Sequence, residues 1–378
     1  MPESLRVAVV TESFLPSLNG VTTSVCQVLE HLRRRGHDAV VFCPGPAPSS
    51  HAGFPVVTVP AVSYRQFPVG LPSWNVAQAM AEYAPDVVHV ASPFVLGVTG
   101  LRAARKLEIP SVAVFQTDVA GFARRHRAAL AAPAAWRWIR RVHELADLTL
   151  APSTSALADL REHGIPRTAR WGRGVDTALF HPGRVAGAQR VRSELAAGGE
   201  LLVGYVGRLA PEKRVERLAA LRGLPGIRVV VVGDGPSRGS VERALGTLDR
   251  PPALLGRLQG DALADVYAAL DIFVHTGTEE TFGQTIQEAQ ASGVPVVAPA
   301  SGGPLDLIEH GVTGLHYPPE DDAALREAVA GLSVDPLRRA ELAAAGLARV
   351  APRGWDRVGD ELLEHYRSVM VGSQAFAA

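Results

Sequence analysis

The chain has 378 residues, 47% of them hydrophobic and 20% charged, which is enough for two domains with separate cores and too apolar for a disordered chain. Its 38 basic and 38 acidic residues cancel, but unevenly: residues 1–185 hold 19 Lys plus Arg against 13 Asp plus Glu, or +6, leaving 38 − 19 = 19 against 38 − 13 = 25, or −6. Only Cys26 and Cys43 occur, which argues against a disulfide framework or a Cys-based metal site and points to a reducing compartment.

MPES leads straight into LRVAVVT, without a basic leader, an apolar stretch or a cleavage signal. No window approaches ~18 uninterrupted apolar residues, so no membrane-spanning helix is expected. In the first half, short β-branched runs alternate with helical patterns: LRVAVVT, AVVFC, DVVHV, SVAVF and LTLAPS. Runs that are apolar on both faces and separated by helices predict parallel strands covered on both sides. Between the first strand and a helix carrying Val21, Val25, Val28 and Leu32 lies the loop TESFLPSLNGVTTS. Its Gly20 stands at the start of that helix, where backbone N–H groups and the dipole favour an anion; an ordinary turn has the same look.

Residues 122–147, FARRHRAALAAPAAWRWIRRVHELAD, interleave Arg124, Arg125, Arg127, Arg137, Arg140 and Arg141 with Trp136 and Trp138. Basic and aromatic residues together suit an anionic membrane surface, and an amphipathic helix pair covering the sheet has the same pattern. A nucleic-acid partner is not expected, because the chain has neither a continuous basic stripe nor an aromatic RNA- or DNA-binding motif. Strand and helix patterns lapse around RGVDTALFHPGRVAGAQR, residues 173–190, which marks the domain break.

The second half repeats the theme with LLVGYVG, IRVVVVG, ALLG, DIFVHT and VPVVAP, followed by a last helix carrying Val358, Leu362, Leu363 and Tyr366. In such sheets ligands bind beyond the carboxyl ends of the strands. After the first of these strands, GRLAPEKRVERL places Arg208 and Lys213 on either side of Pro211, and Lys213 is one of only two lysines, with Lys106, beside 36 arginines. Two cations on one loop suit a diphosphate, and a solvated face has the same composition. GDGPSR, residues 233–238, is a weaker Gly-rich turn of the same kind.

EETFGQTIQEAQASGVPVV, residues 279–297, carries Glu280 just ahead of a helix predicted to begin near Gly283, and Glu288 on its second turn, with Gly293 as the C-terminal cap. Carboxylates accept from vicinal hydroxyls, so Glu288 suits a ribose and Glu280, with the backbone of Phe282, Gly283 and Gln284, a second sugar. Taken singly, the two acids also fit a dipole partner and a surface residue.

The stretch from Glu280 to Glu288 resembles the E-x7-E motif of retaining glycosyltransferases of family 4, and G-R-L-x-x-E-K at 207–213, GVPVVA, the GGP turn and WGRGVDTALFHP extend the likeness over nearly the whole chain. It is most similar to the actinobacterial GDP-mannose-dependent α-mannosyltransferases. The resemblance implies an α/β protein of GT-B fold, with two Rossmann-like doubly wound parallel-sheet domains facing across a cleft. Residues 1–182 would form the acceptor domain, 183–351 the nucleotide-sugar domain, and 352–378 a helix crossing back to the first domain, then a tail.

Carried onto this chain, the resemblance assigns Arg208 and Lys213 to the donor diphosphate and Glu288 to the ribose. Glu280, with the backbone of Phe282, Gly283 and Gln284, would bind the transferred sugar, and Thr285 would belong to the donor site; Gly20 would approach the phosphate and Leu258 the base. Many members have a His where this chain has Gln116, which can hydrogen-bond but carries no charge. Gln116 and Asp118 are assigned to the vicinity of the acceptor or sugar, Asp118 orienting the acceptor hydroxyl or capping a helix.

The expected partners are a nucleotide sugar, a lipid or other small acceptor, and an anionic membrane surface. The expected place is the cytoplasm, peripherally on the inner face of the plasma membrane. The chain has no Asp-x-Asp, so cations and a helix N-terminus are expected to stabilise the departing diphosphate without a metal ion or other cofactor. The leading expectation is mannose transfer from GDP-mannose to a glycolipid of phosphatidylinositol mannoside or glucuronosyl diacylglycerol type. A UDP-sugar transferase acting on a soluble or natural-product acceptor, and a sugar-nucleotide binding protein without turnover, are the alternatives.

Overall fold

The computed structural model describes residues 4–17, 19–64, 67–70, 74–116 and 132–377. They divide into two compact units, Met1–Arg173 with Trp355–Ala378, and Gly174–Gly354.

In the first unit the strands are β1 (Arg6–Val10), β2 (Asp38–Pro44), β3 (Ser50–His51), β4 (Phe54–Val59), β5 (Ala61–Tyr64), β6 (Phe67–Gly70), β7 (Val87–Val90), β8 (Ser111–Val114), β9 (Leu148–Ala151) and β10 (Thr168–Arg170). Eight of them form one sheet in the order β10-β9-β8-β7-β1-β2-β4-β3, parallel except for β3, and β5 pairs with β6 separately. Alternation along each strand feeds two cores. Val7, Val9, Val41 and Cys43 enter one, and Ala8, Val10, Val40 and Phe42 the other. The helix Trp355–Ala377 closes the first core with Val358, Leu362, Leu363 and Tyr366. β4 was not expected from the sequence, where Pro55 interrupts an otherwise β-branched run.

That helix is also clamped by charge to the helix Gly20–Arg34. The buried His31 ring lies between two carboxylates, with Nδ1 3.4 Å from Asp356 and Nε2 3.1 Å from Asp360, and Arg34 and Arg35 bind the same two acids. Gly359 makes the room, because a Cβ there would stand 2.3 Å from His31 Cγ. Gly359→Ala gains about 1 kcal/mol of helix propensity but forces the ring out of its place, an overpacking cost of about 1–3 kcal/mol. The variant is therefore expected to unfold at lower urea, read from the first transition midpoint; an unchanged or raised midpoint would refute the clamp.

The second unit holds β11 (Leu201–Val206), β12 (Ile227–Val232), β13 (Ala253–Gly256), β14 (Ile272–Val274), β15 (Val296–Pro299) and β16 (Leu315–Tyr317), all parallel, in the order β13-β12-β11-β14-β15-β16. Leu202, Val206, Val230 and Phe273 fill one core and Val203, Tyr205, Val231 and Val274 the other. The order of connection reverses between the neighbours β11 and β14, the place where open parallel sheets leave a crevice at their carboxyl ends. Residues 174–182, read in the sequence as the end of the first domain, lie with this unit: Val175 N–H bonds to Arg353 O at 3.1 Å, and Phe180 enters its core.

Candidate functional site

The loop after β11 and the loop after β14 meet above that reversal. Residues Pro211–Lys213 form a 3-10 turn, with Pro211 at its start and Arg214 left-handed (φ 49°) at its end. Thr276, just past β14, donates its hydroxyl to the Lys213 carbonyl at 2.6 Å. Gly277 lets the strands' ends close in, since a Cβ there would lie 3.2 Å from Glu212 O and 3.5 Å from Lys213 Cα. The Lys213 backbone is thus fixed by a neighbouring strand, and its ammonium reaches the carboxylate of Glu280 at 2.6 Å.

Glu280 is 16% exposed and Lys213 23%. Burial alone raises the Glu280 pKa, but the Lys213 charge and hydrogen bond, the neighbouring His275 and the Phe282 N–H at 3.4 Å outweigh it and hold the carboxyl at about 2. Glu280 is therefore an acceptor at any physiological pH and cannot serve as a proton donor. His275, 2% exposed and with Nε2 3.8 Å from Glu280, is pushed down to about 4 chiefly by burial and so is neutral. The sequence placed the cation and the acid on separate parts of a ligand, whereas in the free protein they hold each other.

The GGP turn follows from packing. A Cβ on Gly302 would come 2.4 Å from Glu280 O, and one on Gly303 2.2 Å from Phe282 O, while Gly303 N–H donates to Glu280 O at 2.7 Å. Past it runs the helix Gln284–Ala291, entered through Gly283 at φ 103° and closed by Gly293 at φ 74°. Phe282 is buried in the core, and its N–H, expected to be free, is turned to Glu280's own carboxylate. Gln284 donates its amide to Gly174 O at 3.0 Å.

Glu288 is half-buried on this helix, and Oε2 accepts the Tyr267 hydroxyl at 2.9 Å. Burial pushes its carboxyl up to about 7, against the Tyr267 hydrogen bond and the Gln284 amide. Tyr267 itself is fully buried, its ring edge-on to Phe180 at 5.5 Å and tilted against Phe273 at 5.8 Å. Its hydroxyl also lies 3.4 Å from the carbonyl of Thr285. Leu258, after β13, is half-buried against the same core as Leu255 and Leu263.

Arg208 is exposed, and among the described residues its guanidinium has no hydrogen-bond or ion-pair partner. The loop that carries it lies backbone to backbone on the GDG turn. A Cβ on Gly233 would fall 1.8 Å from Gly207 O and one on Gly235 2.3 Å from Leu209 O, and Leu209 N–H donates to Asp234 O at 3.0 Å. The turn that the sequence marked as weak is the seat of the cationic loop.

In the first unit, Gly20 opens its helix behind the N-cap Asn19, whose Oδ1 accepts from the N–H groups of Val21 at 2.9 Å and Thr22 at 3.1 Å. A Cβ on Gly20 would stand 2.7 Å from Arg173 Nη1. Arg173 in turn donates to Gln116 Oε1 at 2.7 Å, and the buried Gln116 donates to Ala91 O at 2.6 Å. Gln116, neutral itself, positions a cation next to Gly20. Asp118 and residues 122–131 of the basic segment lie outside the described residues.

The rest of that segment is the helix Ala132–His143. Trp136 is 7% exposed and stacks on Phe115 and His163, and Trp138 meets Phe94 edge-on at 5.5 Å. The Trp136 ring serves the unit's own packing and Trp138 is half-buried, while Arg137, Arg140 and Arg141 remain exposed. No helix of the described residues is long and apolar enough to cross a membrane, and no three His, Cys, Asp or Glu side chains among them are grouped to hold a metal ion.

Arg173, Tyr267, His275 and Thr276 were not singled out in the sequence. Their contacts join residues far apart in the chain, although Arg173 stands inside the quoted WGRGVDTALFHP connector.

Comparison with known proteins places these residues in a family. The model for Glycosyltransferase Family 4 matches residues 18–179, and that for Glycosyl transferases group 1 matches 189–349. A GDP-mannose-dependent alpha-mannosyltransferase of Corynebacterium glutamicum is 46% identical over 98% of this chain and 90% of its own length. The chain belongs to glycosyltransferase family 4. A GDP-mannose-dependent alpha-mannosyltransferase of Mycobacterium tuberculosis is likewise 46% identical to this glycosyltransferase, over 97% of each chain. In fold the glycosyltransferase is similar to Anabaena HepE, solved with UDP and glucose, with a TM-score of 0.80 at 20% identity over 96% of this chain and all of that one. Its two Rossmann-like parallel-sheet units are those of the GT-B class.

Proposed function

We propose that this glycosyltransferase moves mannose from GDP-mannose, with retention at the anomeric carbon, to a membrane glycolipid acceptor. The observation that carries the reading is the 46% identity, over 98% of the chain, to a GDP-mannose-dependent alpha-mannosyltransferase. The residue roles are supported by the geometry around β11 and β14. Arg208 is an exposed cation without a partner among the described residues, on the same loop as Lys213, and two cations on this loop suit a diphosphate. Lys213 keeps its contact with Glu280 and also reaches the β-phosphate when the donor arrives, and Glu280, held as a carboxylate by that contact, accepts from the mannose hydroxyls with the backbone of Phe282, Gly283 and Gln284 around the sugar and Thr285 on the donor.

Glu288 takes the ribose diol, and Leu258 lies against the base. Gly20, beside the cation of Arg173, lets backbone come close to phosphate, and Gln116 and Asp118 belong to the vicinity of the acceptor.

Cleavage of the anomeric C–O bond leaves GDP and an oxocarbenium-like sugar. The acceptor oxygen bonds to the anomeric carbon on the face the phosphate leaves, and its proton passes to the departing β-phosphate oxygen. Fixed cations that stabilise this charge contribute about 3 kcal/mol each, so transfer proceeds without a metal ion. The exposed arginines of the helix Ala132–His143 supply a cationic face for anionic lipid on the cytoplasmic side of the membrane.

The test is to incubate the purified protein with GDP-mannose, UDP-glucose or UDP-galactose, and a panel of diacylglycerol and inositol lipids. The expected outcome is a lipid heavier by one hexose from GDP-mannose alone, undiminished by excess EDTA. Turnover of a UDP-sugar instead, a soluble acceptor only, or no hexose transfer in any combination would overturn the reading.

A further inference from the structure

The Glu288 carboxylate is not left to solvent, and its support comes from another helix. Tyr267 lies on the helix Gly260–Ala269, fully buried, with its ring held between Phe180 and Phe273 so that the hydroxyl has little freedom. That hydroxyl has two acceptors in reach, Glu288 Oε2 at 2.9 Å and the Thr285 carbonyl at 3.4 Å. A phenol next to a carboxylate donates to it, and burial raises the Tyr267 pKa far enough that it keeps its proton. The Glu288 Oε2 atom is thereby oriented.

We propose that Tyr267 is a positioning residue for nucleotide recognition: its hydroxyl holds Glu288 in the orientation and ionised state that a ribose diol needs. The inference rests on the proposed role of Glu288. A protonated Glu288 offers the ribose hydroxyls a neutral carbonyl oxygen, a weaker acceptor than a carboxylate. Its proton then turns toward the Tyr267 oxygen, and the Tyr267 hydroxyl is released to Thr285. The pair is therefore a two-position clamp set by one proton.

The groups facing it are few. Gln284 adds its amide from the same helix, and the Tyr205 hydroxyl from β11 bears on Tyr267; among the described residues no cation and no second acid pairs with Glu288. With burial holding Glu288 at about 7, the clamp changes state near neutrality. The sign follows directly. The form that binds a diol is present above that value and lost below it, and removing the Tyr267 hydrogen bond moves the change to higher pH.

The experiment is calorimetric titration of the full-length protein with GDP and with 2′,3′-dideoxy-GDP from pH 6 to pH 9, for wild type, Tyr267→Phe and Glu288→Gln. Wild type should bind GDP more tightly than the dideoxy nucleotide, with the advantage shrinking as pH falls through 7. Tyr267→Phe should lose about tenfold in GDP affinity at pH 8, as expected for one hydrogen bond to a charged group. It should shift the pH midpoint upward and leave dideoxy-GDP binding unchanged.

Equal loss for both nucleotides, or an unmoved midpoint, overturns the role of Tyr267 while leaving that of Glu288 intact. Equal affinity of wild type for the two nucleotides, or an unchanged diol advantage in Glu288→Gln, overturns the ribose assignment itself. Thermal melting of the two variants without nucleotide separates misfolding from weakened recognition.

Discussion

Lys213→Ala is expected to lower kcat/KM for transfer by about two to three orders of magnitude, the usual loss when a preorganised charge is removed from a developing anion. Two effects add. The departing diphosphate loses a cation that the Thr276 hydroxyl and the 3-10 turn hold in place. Glu280, only 16% exposed, also loses the partner that keeps it ionised. Without that charge, burial is the dominant influence on Glu280 and its pKa rises, so part of the population carries a neutral acid where an acceptor is needed.

A buried carboxylate stripped of its partner also costs stability, on the order of 3 kcal/mol if it stays charged. The second unit should therefore melt earlier in Lys213→Ala. Arg208→Ala, whose side chain is exposed and unpaired among the described residues, should lose activity with little change in melting. Steady-state kinetics with thermal melting of both variants separates the two effects. Full transferase activity in Lys213→Ala would sink the site.

Gly233→Ala is expected to be the most damaging of the glycine substitutions. The added methyl would lie 1.8 Å from the Gly207 carbonyl oxygen and 2.9 Å from its carbon, both backbone atoms that no rotamer change can move aside. The residue also sits at φ 142°, where a side chain is strained. The chain must either pull the Gly207–Lys213 loop from its seat or shift β12, at a cost of about 3 kcal/mol or more. Gly226→Ala is the matched control: φ is 69° but nothing lies within 4 Å, so only the backbone strain of about 1–2 kcal/mol remains. Urea denaturation and kcat/KM should show Gly233→Ala worse on both counts. Equal urea midpoints for the two would mean that the close approach of the two turns carries no energy.

The strands were legible because a run such as Val229–Val232 is apolar on both faces, as a strand covered on both sides requires. The helix after Glu280 was legible for a local reason too, since Gly283 and Gly293 mark its ends by their backbone angles. What stayed hidden was long-range. Lys213 and Glu280 are 67 residues apart, and Tyr267 and Glu288 are 21 apart, so no local pattern couples them.

Trp136 of the helix Ala132–His143 was misread for a different reason. Composition suggested a membrane face, but Trp136, Ile139 and Val142 recur every third residue and are all buried. That periodicity marks the inward stripe of a helix. Pattern outranked composition there, and it was available in the sequence.

The first unit is discontinuous: residues 1–173 supply its sheet, and the helix that closes one of its cores comes from 355–377. A ribosome making this chain delivers Val358, Leu362, Leu363 and Tyr366 long after the sheet they cover. By then every residue of the Gly174–Gly354 unit has been polymerised. The first unit can thus finish its interior only after the Gly174–Gly354 unit has been made, and until then its sheet presents an uncovered apolar face to chaperones and proteases. Premature termination anywhere before Trp355 would be felt in the core that Val7, Val9, Val41 and Cys43 enter.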